Sequence, residues 1–261
     1  TPHSHHCAEI IACAKAGKPV FVEKPFTLTR KTAEQALAAV EKAGTIVAAG
    51  HNRRWLAPLA DLKRMIDRGD LGTILHVETN FSGNAQGRYT KEAWRVAPGE
   101  SPAGGLAGSG IHQIDAIIHL VAPITEVYAV SVARIHDVPL DDTTVVTFRL
   151  ANGATASLLT MTATAATYRI QAFGTKAKAE INGAAEKRGT ETMEIVSLTG
   201  ERKLKTYKPL DIERAELEAF ADAISGKKPY PITPAEILNG VAAFEAVSLS
   251  AAKGKPIVIR V

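Results

Sequence analysis

Pro19-Val20-Phe21-Val22-Glu23-Lys24-Pro25 and, further on, Ile46-Val47-Ala48-Ala49-Gly50 are two short apolar runs that end on charge, proline or glycine. Runs of this kind suit strands buried on both faces. Between them Thr29 is placed to cap a helix over 30–43, which Gly44 stops. A helix over about 5–16, closed by Gly17, precedes the first run. Another over about 57–67, with Leu59, Leu62, Met65 and Ile66 on one face, follows the second. Strands alternating with helices make βαβ units and a parallel sheet, so this N-terminal segment reads as half of a doubly wound domain.

After Gly72 the pattern changes. Strands are expected at about 73–81, 126–135, 142–150, 154–162, 167–173, 178–182 and 192–198, with a loop-rich stretch over 82–110 and an apolar helix over 111–121. Val146, Phe148 and Leu150 alternate with Thr147 and Arg149, as in an antiparallel strand covered on one face, and Asn152-Gly153 is a hairpin turn into the next strand. Two helices follow, over about 211–224 and 234–252. Ile237, Val241, Phe244, Val247 and Ala251 form a stripe on the second, and a last strand covers 257–259. The fold class is α/β followed by α+β: a partial parallel-sheet domain, then a domain with a large, open, mostly antiparallel sheet carrying helices on one face.

The 261 residues suit one large domain or two modest ones, and 46% apolar against 22% charged residues is the balance of a chain that buries a sizeable core. The net charge of +4 invites a nucleic-acid partner, but the 31 Lys and Arg do not gather into a stripe. The densest stretch, Arg202, Lys203, Lys205 and Lys208, is short and follows Glu201. No nucleic acid is expected; the mild positive balance suits an anionic cofactor or substrate equally well. No apolar run reaches the ~20 residues that cross a bilayer, so no membrane partner is expected. Cys7 and Cys13 share one helix about 240° apart around its axis and cannot bridge within it. They read as small buried thiols of a reducing, cytoplasmic compartment.

Two constellations can carry chemistry. Lys24 follows a parallel-type strand, where open α/β sheets face their ligands. A partly desolvated lysine there can hydrogen-bond a reacting hydroxyl, and a cis Lys24–Pro25 bond would aim it. The alternative is a solvated Glu23-Lys24 pair. The second is Gly104-Gly105-Leu106-Ala107-Gly108-Ser109-Gly110-Ile111-His112, a glycine-rich approach to a helix bearing His112 and Asp115 one turn apart. The carboxylate could orient the imidazole, although His112 also fits a structural histidine. His119 shares that face, but two imidazoles and one carboxylate on a straight helix seldom converge on an ion; likewise, of His3, His5 and His6 only two remain once a helix begins. No metal is expected. Arg53-Arg54-Trp55 and Trp94-Arg95 could stack on or clamp a polar ligand, or be rim features.

Together these residues resemble the Gfo/Idh/MocA family of NAD(P)-dependent oxidoreductases. The resemblance runs from Thr1-Pro2-x-x-x-His6 through Ala14-x-Ala16-Gly17-Lys18-x-Val20-x-x-Glu23-Lys24-Pro25, Ala43-Gly44, Gly50-His51-Asn52-Arg53-Arg54 and Gly69-Asp70-Leu71-Gly72 to Gly110-x-His112-x-x-Asp115. It implies that residues 1–50 are the C-terminal part of a Rossmann domain and 51–261 a substrate-binding and oligomerisation domain, whose final helix can pack back on the first. It implies NAD or NADP as cofactor, near Thr1, Pro2, His6, Glu23, Lys24 and Pro25. Lys24, His112 and Asp115 are the implied catalytic residues, and Arg54, Trp94 and Arg95 are candidates for the substrate. The implied reaction is hydride transfer between NAD(P) and a sugar, polyol or related hydroxy compound, in a homo-oligomer built through the open sheet.

Two departures qualify what the resemblance implies. Many members have an Asp four residues before the histidine, where this chain has Gly108. The first βαβ segment, with its Gly-x-Gly-x-x-Gly turn, would add about 80 residues before Thr1, so the chain reads as truncated and little dinucleotide affinity is expected of it alone. Two other classes stay open: an NAD-assisted eliminase or glycosidase that regenerates its cofactor, and a non-catalytic, sheet-based dimerisation or ligand-binding module.

Overall fold

The computed structural model describes residues 1–183 and 191–260. A short 3-10 turn leads into α1 (His6–Lys15), then β1 (Val20–Glu23), α2 (Arg30–Ala43) and β2 (Val47–Gly50). β1 and β2 pair in parallel from Val20↔Val47 to Glu23↔Gly50, so their carboxyl ends lie level. That register sets Lys24 and His51 side by side at the end of the sheet where ligands bind in open α/β folds. Thr29 caps α2 in a reciprocal box with Thr32, and Gly44 ends it at φ +62°, as the capping pattern predicts.

A 3-10 turn over Asn52–Trp55 and α3 (Ala57–Asp67) lead into the second body. It contains β3 (Ile74–Asn84), α4 (Ile111–Leu120), β4 (Ile124–Val132), β5 (Thr143–Leu150), β6 (Thr155–Met161), β7 (Ala163–Gly174), β8 (Ala177–Gly183), β9 (Thr192–Ser197), β10 (Arg202–Thr206), α5 (Ile212–Ile224), α6 (Pro234–Lys253) and β11 (Ile257–Val258). The described strands form one nine-stranded sheet in the order β10-β9-β8-β7-β3-β6-β5-β4-β11. Only the β3–β6 pair in it is parallel. A small parallel sheet followed by a large, mostly antiparallel one is the expected fold class.

The core divides where the sheets divide. Ile10, Val22, Phe26 and Val40 pack in one cluster, and Leu59, Val77, Ile114, Phe148 and Ile170 in the other. α6 serves both: Ile237 and Val241 enter the small cluster, Phe244 and Val247 the large one. Among the described helices α6 is the one long and apolar enough to cross a bilayer. Its apolar side chains are instead packed into these two cores. The opposite face of the large sheet leaves Tyr128, Val130 and Val145 between 42% and 51% exposed.

Three elements differ from the sequence expectation. The basic stretch after Glu201 is an edge strand, β10, whose Arg202 and Lys205 pair with Glu194 and Asp61. Alternating charge hides such a strand from a hydrophobic pattern, although charged edges are a usual defence against stray pairing. β7 starts at Ala163 because small residues that carry no apolar signal still pair with β3, Ala163 opposite Asn84. β4 stops at Val132 rather than 135, where the N–H groups of Arg134 and Ile135 turn to donate to the Asp142 carboxylate at 2.5 and 2.6 Å.

Phe244 is fully buried in the helix that joins the two cores. Phe244→Ala should therefore destabilise the protein by about 3–5 kcal/mol, read as a shift in the chemical-denaturation midpoint.

Candidate active site

Lys24 stands one residue past β1, on a cis peptide to Pro25. Its Nζ donates to the carbonyl of Ala107 at 3.3 Å and to that of Gly108. Those carbonyls belong to a π-helical turn, Leu106–Gly110, that runs directly into α4. The turn lies close against the large sheet. Gly104 has φ +54°, and a Cβ there would sit 1.8 Å from the Asp141 carbonyl oxygen. The glycine-rich approach thus serves close backbone packing within the protein. Burial drives the Lys24 amine down to about 8; Glu23 opposes the shift, and Arg95, Arg53 and Arg88 reinforce it.

Two clefts meet at this amine. The first, about 520 Å³, runs along β1 and is lined by Thr1, His6, Glu23, Trp94 and Arg95 as well as Lys24. The second, about 350 Å³, is lined by Lys24, Asn52, Arg53, Arg88, Ser109 and His112, with further residues of β3. Gly108, Tyr89 and Arg95 border both. Lys24 and His112, far apart in sequence, therefore line one cavity. The His112 ring is 8% exposed and packs between Phe81 and His51, each with centroids 6.0 Å away.

The other expected residues fall into three groups. Thr1, His6, Glu23, Trp94 and Arg95 line the first cleft. Arg95 stacks on Trp94 at 4.3 Å, and His3 meets the same indole edge-on at 4.8 Å. Burial holds the His3 imidazole down to about 4 while its Nδ1 lies 2.8 Å from the Glu100 carbonyl. Pro2 and Pro25 line neither cleft. The Pro2 carbonyl accepts from the His5 N–H, and that of Pro25 lies 2.9 Å from His6 Nδ1. They shape the wall from behind.

Arg54 and Asp115 are placed otherwise than expected. Neither lines a cleft. The Arg54 guanidinium, 4% exposed, donates to both Asp115 oxygens and to Glu236 at 2.8 Å. Arg54 is thus committed to the protein, and Asp115 serves it instead of orienting His112. Burial alone would raise the Asp115 carboxyl, but His51, Arg54 and the guanidinium hydrogen bonds together hold it below the usual range. Arg54 rises in turn, its carboxylate partners outweighing desolvation. His119 lies on this side too, its Nδ1 3.3 Å from Arg54, and burial holds it down to about 4.

Residues that the sequence reading did not single out stand in the second cleft, Asn52, Arg88, Tyr89 and Ser109, together with Arg53 of the Arg53-Arg54-Trp55 cluster. Asn52 and Arg53 belong to the Gly50–Arg54 motif, whose spacing does not say which arginine faces the cavity. A 3-10 turn after β2 decides it, sending Arg53 under Phe81 and Tyr168, at 5.0 and 5.3 Å from their centroids, and Arg54 into the interior. Arg88 and Tyr89 lie in the loop-rich stretch, where no periodicity marks them.

Comparison with known proteins agrees with this architecture. Residues 1–51 match the model of an oxidoreductase family with an NAD-binding Rossmann fold, and residues 59–180 match the GFO/IDH/MocA C-terminal domain. The uncharacterized oxidoreductase YrbE of Bacillus subtilis is 28% identical over 99% of this chain and 76% of its own length. The scyllo-inositol 2-dehydrogenase (NADP(+)) IolW of the same organism is 33% identical over 46% of this chain and 33% of its own. Among solved structures, a protein of Desulfitobacterium hafniense DCB-2 named as an NADPH-dependent oxidoreductase superposes with a TM-score of 0.91 at 25% identity, over 99% of this chain and 78% of that one.

The Asp115 carboxyl is held below its unfolded value. The stability it contributes is therefore complete above about pH 4 and is lost as pH falls through the folded value. Asp115→Asn should cost about 3–5 kcal/mol at pH 7, as expected when one partner of a buried pair is removed. It should also flatten the acid limb of the stability curve, followed by denaturant melts between pH 3 and 7.

Proposed function

The chain belongs to the Gfo/Idh/MocA family of oxidoreductases, and from that premise we propose that it oxidises a hydroxyl of a sugar, polyol or related compound with NAD(P), or runs the reverse reduction. One observation carries the reading: the Lys24 amine stands where a cleft along β1 opens into a cleft bordered by His112. The first cleft suits the nicotinamide end of a dinucleotide. It has a strand edge for a wall, an indole at Trp94, and polar groups at Thr1, His6 and Glu23. Space is left at Gly108, where an added Cβ would meet only the Tyr89 hydroxyl, at 3.4 Å. When bound, the dinucleotide supplies the hydride acceptor.

The remaining steps belong to this chain's side chains. A substrate in the second cleft has its carbinol between Lys24 and His112, with Asn52 and Ser109 beside it to hydrogen-bond further hydroxyls. Removing hydride from the carbinol carbon requires a base for the hydroxyl proton. An amine with its pKa lowered to about 8 is a useful base near neutral pH, and in the reverse direction its conjugate acid returns the proton. His112, at the opposite wall, is the second proton-handling group. The two main-chain carbonyls that accept from Lys24 keep the amine aimed at the junction. Arg54 and Asp115 act as positioning residues that hold α4, and with it His112, against the turn after β2. The same proposal includes a cytoplasmic setting and self-association through the open sheet face that carries Tyr128, Val130 and Val145.

Lys24→Met should lower kcat by about 10²–10⁴ with a much smaller change in cofactor affinity. In the wild type, kcat in the oxidative direction should rise with pH through a limb near 8. Absorbance at the reduced-nicotinamide band reads both, and near-normal turnover by the methionine variant would refute the role given to Lys24. Product accumulation with no net change at that band would favour a cofactor-regenerating eliminase.

A further inference from the structure

We propose that Tyr89 is a further catalytic residue of this site: its phenol hydroxyl hydrogen-bonds the oxygen of the reacting carbinol beside the Lys24 amine and stabilises the charge that gathers there as hydride leaves. The inference rests on the oxidoreductase reading for the reaction, while the contact itself can be read by binding alone.

Among the described residues Lys24, Tyr89, Arg95 and Gly108 border both clefts. Gly108 is where the amine and the phenol come together. Its carbonyl accepts from Lys24 Nζ, and an added Cβ would meet the Tyr89 hydroxyl at 3.4 Å. Both groups therefore face a residue that puts no side chain between them. Arg95 is placed differently, its guanidinium lying over the Trp94 ring at 4.3 Å, against the wall of the first cleft. The hydrogen bonds of Lys24 also set its direction. Its stem and its contacts with the Ala107 and Gly108 carbonyls take all but one of the tetrahedral positions around Nζ. The remaining position is a lone pair in the neutral amine and an N–H in the ammonium.

Tyr89 is set in place from the end of the large sheet. Its loop follows β3 and is fastened at Thr162, between β6 and β7. The Ala85 N–H donates to the Thr162 carbonyl at 2.8 Å, and His136 Nε2 lies 2.7 Å from Thr162 Oγ1. The His136 ring meets Tyr89 edge-on, with centroids 5.4 Å apart. A short turn then brings the Tyr89 N–H to the Gln86 carbonyl at 3.1 Å. A ring packed in this way presents its hydroxyl before substrate arrives, as a preorganised donor should. Burial pushes the phenol above its ordinary value, against the pull of Arg95 and Arg88. At neutral pH it therefore keeps its proton and donates, and proton removal is left to the amine.

The step balances on these two groups. The carbinol O–H bond breaks toward the Lys24 lone pair and becomes an N–H of the ammonium. The C–H electron pair leaves as hydride for the oxidised nicotinamide dinucleotide, and the carbon–oxygen double bond forms. Tyr89 keeps its own proton throughout. Its hydrogen bond strengthens while the oxygen has alkoxide character, so its effect is weighted to the transition state.

Tyr89→Phe removes only the hydroxyl and leaves the ring against His136. Calorimetric titration of both proteins with glucose, fructose, sorbitol and myo-inositol reads the contact without cofactor. A ligand that binds the wild type should bind the variant about three- to tenfold more weakly, the effect of one neutral hydrogen bond. In nicotinamide-linked turnover of that ligand, kcat should fall by about 10²–10³, as when one donor to a developing oxyanion is removed. KM should rise no more than the binding constant, and the limb near pH 8 should stay in place. A lower denaturation midpoint with a displaced limb, or a higher KM at unchanged kcat, would mark a structural residue and overturn the proposal. Equal binding of every ligand by the two proteins, or no binding of any of them by the wild type, would overturn it too. The two readings fail separately. Normal kcat in Tyr89→Phe beside a loss in Lys24→Met removes this inference and keeps the oxidoreductase reading. Hydroxyl-dependent binding with no change at the reduced-nicotinamide band removes the redox reading and keeps the contact.

Discussion

The ammonium of Lys24 crosses from the end of a parallel strand to the carbonyls of Ala107 and Gly108, partners 83 and 84 residues away. The rest of the site depends on that reach. It joins the small parallel sheet to the π-helical turn that starts α4, and so fixes His112 relative to β1. It also leaves an amine partly desolvated at the junction of two clefts. A lysine on a solvated loop would be fully charged at neutral pH and free to wander. Held by two carbonyls beside a buried wall, it becomes a group whose proton can be exchanged near neutrality.

Beneath the clefts lies a layer of buried charge that keeps this geometry in place. Arg54 is shared between Asp115 and Glu236, so residues on α4 and α6 are tied to the turn after β2 through one guanidinium. Near it Glu216 is pushed up to about 8 by burial. Tyr230 Oη lies 3.3 Å from that carboxyl and 3.0 Å from the Ala49 carbonyl. A single hydroxyl proton cannot serve both contacts. The Tyr230 hydroxyl donates to the Glu216 carboxyl or to the Ala49 carbonyl, and either contact holds it at the end of β2. Apolar packing does the bulk of the joining, through α6 and its membership of both cores, while these polar contacts set the register of the ends.

Much of this was legible in the sequence, for identifiable reasons. The β1 and β2 runs, the Thr29 and Gly44 caps and the Asn152-Gly153 turn are local signals, and each is where it was expected. Lys24 followed from its place after a parallel strand, and His112 from its helix. Local spacing could not tell Arg53 from Arg54. Adjacent arginines in a 3-10 turn point about 120° apart; both are buried here, and only the tertiary position of Asp115 decides which of them is drawn away from the cleft. The same limit applied to Asp115, whose spacing from His112 suggested a partner, while a guanidinium from another element claimed it. Arg88 and Tyr89 lie in a stretch without period, so nothing before the fold marked them as part of a cavity wall.

The central claim is that the Lys24 amine is desolvated where the two clefts meet, and titrating that amine directly is the sharpest measurement. Lysine labelled with nitrogen-15 at Nζ, with the resonance assigned by its loss in Lys24→Arg, would be followed by NMR across the alkaline range. A midpoint near 8 is the value expected here. A midpoint at the ordinary lysine value of about 10.4 would contradict the account, because an amine that titrates like one in water is not held in the place described.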